Sequence, residues 1–344
     1  MRRRFGKSHT FASIIVLAQT VILYISKTNT FAREVRRFVQ DSDISVVGHF
    51  AIDKIHLPNQ TSSYTTLGGP ATYVSLVARR LEVSVAAISK VGGDFPEAYL
   101  WWLFQEGIDI SGVVKLAQEK TTHFDLEYSK DFAFRNLSLK NPGSPIQTCD
   151  LPPALKAKII HLAPIDGEIS FELAENLKSQ AELLSLDPQG LLRRFDAAGN
   201  VTISLSVDKS FLSLVDIYKS SQDEITAFTE CSDLDSAIKS VHDFGVKIVI
   251  VTLGASGSLL SVEKTIYRIP VCSSSKVIDP TGAGDVFIGG FLTEYNRHKD
   301  SLWCACVGSA AASLVIEDVG PRFFGDKEEI YHRAWPIYEK EIKQ

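Results

Sequence analysis

The chain has 344 residues, 45% of them hydrophobic and 22% charged, the balance of a globular protein. Its net charge of −5 and isoelectric point near 5.9 exclude an extended basic face, so no nucleic-acid partner is expected. Cys149, Cys231 and Cys272 stand alone, and Cys304 and Cys306 would face different sides of one helix. Neither a disulfide nor a zinc pair suits that spacing, which points to a reducing cytosol.

At the N-terminus, Met1-Arg2-Arg3-Arg4 precedes a mostly apolar run from Phe11 to Ile25. A basic start with a short apolar segment looks like a signal peptide or signal anchor. The run is shorter than the roughly 20 residues that span a bilayer. Residues 1–43 are expected to be a loosely attached extension, or sequence upstream of the true start. A membrane anchor at 11–25 is the competing reading. The domain proper is expected over 44–342.

Along that domain, Ile44 to Asp53 is an apolar strand ending in polar residues. Residues 54–67 are rich in hydroxyls and β-formers and suit short surface strands. Leu67-Gly68-Gly69-Pro70 opens a helix with Pro early, where it is tolerated, and Val74, Val77, Ala78 and Leu81 form its buried stripe. Val83 to Val91 is the next strand, closing on Gly92-Gly93-Asp94. A helix follows over Pro96 to Gln105. Residues 121–131 and 132–139 are half-exposed strands with a turn near Lys130-Asp131, and with 54–67 they form a small separate sheet.

The remainder alternates. Strands fall at 158–163, 183–187, 214–218 and 247–253, with helices at 169–180, 222–229 and 234–244. A hairpin covers 257–262 and 265–269. Two apolar helices, 285–297 and 301–316, precede a last amphipathic helix over about 326–342. Strand–helix alternation with apolar strands implies a parallel, helix-covered sheet. In such a sheet ligands bind beyond the C-terminal strand ends, where Asp53, Gly92 to Asp94, Asp187, Gly254 and the 279–285 loop are all expected.

The stretch Val277 to Leu292 carries the chemistry. Val277 and Ile278 are expected to end a buried strand. Asp279, Thr281, Gly282, Ala283, Gly284 and Asp285 then lead into a helix whose face is Ile288, Phe291, Leu292 and Tyr295. A helix N-terminus offers unpaired N–H groups and a positive dipole end to an anion. A carboxylate beside an anion site repels the anion unless it accepts a proton from a hydroxyl there. Anion hole plus adjacent base describes phosphoryl transfer onto an alcohol. A plain turn with Asp285 as N-cap is the competing structural reading. No G-x-x-x-x-G-K-S/T is present, so this is not a P-loop kinase.

The run resembles the D-T/P-T-G-A-G-D sequence of the pfkB (ribokinase-like) carbohydrate kinases, and the resemblance extends over about 44–342. It implies a three-layer αβα fold with a mostly parallel central sheet and a small β-sheet lid, built from strands within about 54–67 and 121–139. It implies ATP as donor with Mg²⁺, Asp285 as base, and the N–H groups of Ala283, Gly284 and Asp285 as the γ-phosphoryl cradle. Asp53 matches the family's substrate aspartate and Gly68-Gly69 its paired glycines. Tyr73 lies where the sugar kinases place Asn, compatible with a cyclic polyol. Asp187 and Gln189, Thr252 with Gly254 and Gly257, and Thr281 fall on the nucleotide side. Ser221 and Glu224 occupy the N-x-x-E position, with Glu224 organising Mg²⁺ through water and Ser221 equally suited to cap a helix. Asp279 marks a site for a monovalent cation such as K⁺ in some members. A homodimer through the lid is implied as well.

Within the family, Gly68 to Tyr73, Thr121 to Tyr128 and Lys219 to Glu224 look more like the inositol-kinase-like and archaeal-type sugar kinases than ribokinase. Lys130 and Arg135 are too sparse a basic cluster for a phosphosugar, so a neutral polyol is expected. Nucleoside or phosphosugar kinase, and a catalytically silent binding protein, are the alternatives.

Overall fold

The computed structural model describes residues 42–342 apart from 59, 133, 154, 205 and 206. The apolar run 11–25 lies outside the described residues. Among those described, no helix is long and apolar enough to cross a membrane.

In chain order the strands are β1 (Ser42–Val47), β2 (Ala51–His56), β3 (Tyr64–Gly68), β4 (Val85–Gly92), β5 (Ile108–Leu116), β6 (His123–Tyr128), β7 (Arg135–Asn141), β8 (Ala157–Leu162), β9 (Ala181–Leu186), β10 (Arg193–Phe195), β11 (Val201–Ile203), β12 (Ile217–Ser221), β13 (Ile248–Thr252), β14 (Ser258–Val262) and β15 (Thr265–Ile269). Between them run α1 (Pro70–Arg80), α2 (Glu97–Gln105), α3 (Phe171–Lys178), α4 (Gln189–Leu192), α5 (Gln222–Thr229), α6 (Leu234–Asp243), α7 (Ala283–Asn296), α8 (Ser301–Val315) and α9 (Lys327–Ile342).

Nine strands form the main sheet in the order β15-β14-β13-β12-β9-β8-β1-β4-β5. All neighbours from β13 to β5 are parallel, and the β13–β14–β15 edge is antiparallel. Two cores flank it. Val74, Val77, Ile288, Phe291, Leu292, Ala310 and Leu314 pack on one face, and Leu173, Leu177, Ile225, Phe228, Ile238 and Val241 on the other. The buried strand positions are mostly apolar, as sheets covered on both faces favour, with polar exceptions such as His161, Ser185 and Lys219. The expected three layers are therefore present. A second sheet, β3-β2-β6-β7, stands apart with its own small core of Ala51, Ile55, Phe124, Leu126 and Leu137.

Several expectations change. Residues 44–53 are two strands in two sheets, because the chain leaves the main sheet after Val47. Gly48 N–H makes a last bond to Ile88, and Ile52 N–H already bonds the lid at Thr122. Asp53 thus lies within lid strand β2 and not at a core strand end. No strand precedes Asp279: Val277 is exposed, and Ile278 N–H bonds Ile316 at the end of α8. The segment expected as strand 214–218 begins as a 3₁₀ turn at Lys209–Leu214, and β12 follows to Ser221. The lid hairpin turns later than expected, with Phe132 at φ 57° and β7 starting at Arg135. Strand β5, whose Ile108-Asp109-Ile110-Ser111 alternates apolar and polar, and the short β10–β11 hairpin were not expected.

His49 occupies the crossover from core to lid and is completely buried. Its Nδ1 lies 2.8 Å from Thr122 Oγ1, and its Nε2–H donates to the Ser144 carbonyl at 3.0 Å. Thr122 leads into β6 and Ser144 follows β7, so one ring ties three lid crossings together. Asp166 Oδ1 stands 3.4 Å from Nδ1, and Glu168 accepts the His49 backbone N–H. Burial opposes charge on the ring, but Glu168 and Asp166 outweigh it and hold the imidazolium above the ordinary histidine range.

Candidate active site

The 279–285 loop is held from below and above. The Asp279 carboxylate, almost fully buried, accepts from Thr281 N–H at 3.0 Å, Gly320 N–H at 2.9 Å and the Tyr64 hydroxyl. Tyr64 belongs to β3, so this bond joins the lid to the loop. Tyr128, from β6, makes a second joint by a 2.8 Å bond with Thr281 Oγ1. With both oxygens of Asp279 occupied by the chain's own donors, the carboxylate is a fastener for the loop.

Gly282 precedes α7 at φ 80°, a left-handed conformation costly for other residues. A Cβ there would stand 2.4 Å from the Tyr73 ring. The turn it permits aims the first amides of α7 into the cleft. Ala283 N–H already makes a 3.2 Å bond to Pro280. Among the described residues, the N–H groups of Gly284 and Asp285 donate to no backbone carbonyl. The amides left open to a ligand at this turn are therefore those of Gly284 and Asp285 rather than that of Ala283.

Asp285 keeps one edge open to the cleft, with protein around it on the other sides. Loss of water pushes its carboxyl up to about 6, with Lys219 opposing and Asp187 adding to the rise. Gln189 Nε2 donates to it at 3.3 Å, and Gln189 is in turn held by Arg193 at 2.5 Å. Asp187 and Pro188 lead into the short helix α4, whose Gln189 faces Asp285 and not the nucleotide side expected from the sequence.

Asp53 faces Asp285 across the same cleft, lined also by Gly69, Tyr73, Thr281, Gly282, Gln189, Arg135 and Arg193. Gly68 makes room for Asp53, since a Cβ there would fall 1.9 Å from Oδ2. Among the described residues the Asp53 carboxylate has no hydrogen-bond donor. Burial pushes it up to about 7, against the pull of Arg135. The Tyr73 hydroxyl is buried with no hydrogen-bond partner, and burial drives its ionisation well above the ordinary tyrosine range.

On the far side of the loop, Lys219 is 5% exposed and its ammonium meets Asp187 Oδ2 at 2.6 Å. Ser221 and Glu224 form a reciprocal capping box for α5: Ser221 Oγ accepts from Glu224 N–H, and Glu224 Oε2 from Ser221 N–H at 2.7 Å. Thr252 pairs with Ser221 across β12–β13. Gly254 (φ 57°) and Gly257 (φ 88°) turn the chain into β14, so the hairpin alone accounts for them. Asp94 fastens its own turn by accepting from Thr121 N–H and Oγ1 at 2.8 Å and is not in the cleft. Lys130 is exposed at the hairpin turn.

Two carboxylates on one cleft, one at a helix N-terminus, under a β-sheet lid on an αβα core, make an arrangement with known counterparts. The family model for pfkB family carbohydrate kinases matches residues 41–327. The chain belongs to the pfkB family of carbohydrate kinases. A nucleoside kinase of Methanothermobacter thermautotrophicus is 30% identical over 304 residues, which is 82% of this chain and 91% of that protein. An inositol 3-kinase of Arabidopsis thaliana is 26% identical over 296 residues, 83% of this chain and 78% of that one. A solved pyrophosphate-dependent kinase of the ribokinase family superposes with a TM-score of 0.72 at 22% identity, covering 84% of this chain and 99% of that one, a likeness of fold.

In this pfkB kinase the cleft between core and lid also holds groups that sequence reasoning passed over. Arg193, four positions after Gln189 and bonded to it, lines the cleft. Arg135 was counted among sparse charges, yet its guanidinium bonds Tyr128 and lines the cleft. Tyr64 and Tyr128 carry no local signal, being hydroxyl groups on strands whose role appears only across the interface. Lys219 did have one: a lysine in the middle of a strand that is buried on both faces needs a partner.

Proposed function

We propose that this chain transfers the terminal phosphoryl group of ATP to a hydroxyl of a sugar, cyclitol or related polyol. The observation that carries the reading is the opposition of Asp53 and Asp285 across one cleft, with two free amides beside Asp285. Asp53 accepts hydrogen bonds from acceptor hydroxyls and fixes which one points at Asp285. Asp285 takes the proton as the acceptor oxygen attacks phosphorus. The Gly284 and Asp285 amides hold the phosphoryl oxygens. Positioning and charge do most of the work in such reactions. The lid tyrosines keep water out once the lid is down.

Asp187 and Glu224 suit Mg²⁺ held through water, since a hard cation matches oxygen ligands and Glu224 spends only Oε2 on its cap. When bound, Mg²⁺ offsets phosphate charge. K⁺ at Asp279 has less support, because Asp279 already takes three donors from the chain. Thr252, Gly254 and Gly257 border the nucleotide at the β13 edge. The orphaned Tyr73 hydroxyl favours an acceptor that carries a hydroxyl to that point.

A nucleoside acceptor is the second reading. Phe124, Leu126, Leu137 and Ile165 give the cleft an apolar wall that would take a base. A cytosolic setting and a homodimer through the lid belong to the proposal too; Phe134 at the hairpin tip is 77% exposed. ADP release measured across myo-inositol, ribose, fructose, fructose 6-phosphate and nucleosides tests the function. Turnover with polyols above nucleosides is expected. Turnover with nucleosides alone would replace the first reading with the second, and no turnover with any acceptor would overturn both.

A further inference from the structure

Lys219 stands where β12, β9 and the N-terminus of α7 meet. It is buried, yet Asp187 is the only hydrogen-bond acceptor its ammonium has among the described residues. An ammonium carries three donors, so two are unspent. A buried donor without a partner is costly and calls for an acceptor that is present when the site works. A Cβ on Gly284 would stand 2.8 Å from Nζ. The ammonium therefore lies directly against the first turn of α7, where the free amides of Gly284 and Asp285 are. The second glycine of the loop leaves that space open.

The structural alternative is that Lys219 merely neutralises Asp187. The charge balance speaks against that as its whole task. Asp187, Glu224 and Asp285 are all close enough to hold the ammonium charged, against the cost of burial. Arg193 is a second cation near the same three carboxylates, so the group is more than one neutral pair. Lys219 adds a fixed positive charge to it, beside the amides of Gly284 and Asp285.

We propose that Lys219 is a catalytic residue for phosphoryl transfer: its ammonium holds the transferred phosphoryl group from beneath the first turn of α7, and Asp187 positions it. The inference rests on the phosphotransfer reading above. In the step, the acceptor O–H bond breaks and its proton goes to Asp285. The acceptor oxygen forms the new bond to phosphorus, and the bond from phosphorus to the bridging oxygen of ATP breaks. ADP carries away that electron pair. Lys219 gives up no proton. It stays an ammonium and offsets the charge on the phosphoryl oxygens as they separate from ADP.

Lys219→Met and Asp187→Asn test this in the full chain, with circular dichroism melts to confirm folding. Lys219→Met is expected to lower kcat about 10²–10³-fold, the usual cost of one preorganised donor, while the acceptor KM stays within about threefold. The acid limb of kcat/KM should move to higher pH, because Asp285 loses the positive charge that most opposes its protonation. Asp187→Asn keeps the ammonium but loosens its aim, so a loss of about tenfold is expected. Inorganic tripolyphosphate binding by calorimetry gives a measurement independent of turnover, and at least tenfold weakening is expected in Lys219→Met. Wild-type-like kcat, an unmoved acid limb in a folded variant, or unchanged tripolyphosphate binding would each overturn the role. If Lys219→Met does not fold, tripolyphosphate binding by Asp187→Asn decides the matter: unchanged binding sinks the proposal. If the wild type phosphorylates no acceptor, the reaction assignment falls, and the binding comparison still decides Lys219.

Discussion

Asp285→Asn removes the proposed base while keeping its shape and its bond from Gln189. If the carboxylate must accept the acceptor proton, kcat should fall by at least about 10²-fold. MgATP binding should persist, since the cradle is backbone. The wild-type pH profile gives a second, independent figure. With the Asp285 carboxyl pushed up to about 6, about 90% is ionised at pH 7 and about 9% at pH 5. One base on this limb predicts about a tenfold fall in kcat/KM between those values. The acceptor kcat/KM is the parameter to follow, because it reports the free enzyme. Stability supplies the opposite sign. A carboxyl whose folded value is raised is fully favourable below the unfolded value near 3.8 and costs stability as pH rises through about 6. The open edge of Asp285 admits solvent, so the expected gain for Asp285→Asn at pH 8 is only ~1–2 kcal/mol, vanishing near pH 4. Activity should therefore drop while the melting temperature rises. A flat profile from pH 5 to 7, or near wild-type turnover in Asp285→Asn, would refute the base assignment.

Gly282→Ala must take φ 80° and drive a methyl into the Tyr73 ring; a stability loss of about 2–4 kcal/mol is expected by denaturant titration, and an unchanged midpoint would contradict the geometry. Tyr128→Phe removes the lid bond to Thr281 and should raise acceptor KM about two- to tenfold with kcat nearly unchanged; a kcat effect without a KM effect would assign Tyr128 to the chemistry instead. His49→Gln leaves Asp166 and Glu168 without their cation and should cost ~3 kcal/mol. The raised His49 value has its own sign: its stabilisation is complete below the ordinary value of about 6.5 and is lost as pH rises through the folded value. Wild-type melting temperature should thus decline on the alkaline side more steeply than that of His49→Gln.

The helices and the chemical centre were legible because their causes are local. Ile288, Phe291 and Leu292 are spaced for one helix face and are fully buried. The glycines and Asp285 lie within four positions of each other, so their joint meaning survives in the chain. Lid boundaries were less legible, since β2 continues the apolar pattern of β1 and nothing in Gly48-His49-Phe50 announces a change of sheet. Strand-end logic failed for Asp53 on that account, since it lies in the lid; Asp94 does follow the end of β4, but its carboxylate is spent on Thr121.

The sequence by itself carried the run from Asp279 to Leu292, the proposed cradle and base, and with it the kinase class. Only the tertiary structure decided what surrounds that base. Tyr64 lies 215 positions from Asp279 and Tyr128 lies 153 from Thr281. Lys219 meets Asp187 across neighbouring strands and Gly284 across a helix. Such contacts follow from sheet order and lid placement. A residue's type and near neighbours carry periodicity and turn chemistry, whereas the field at one carboxylate is the sum over charges that folding alone brings together.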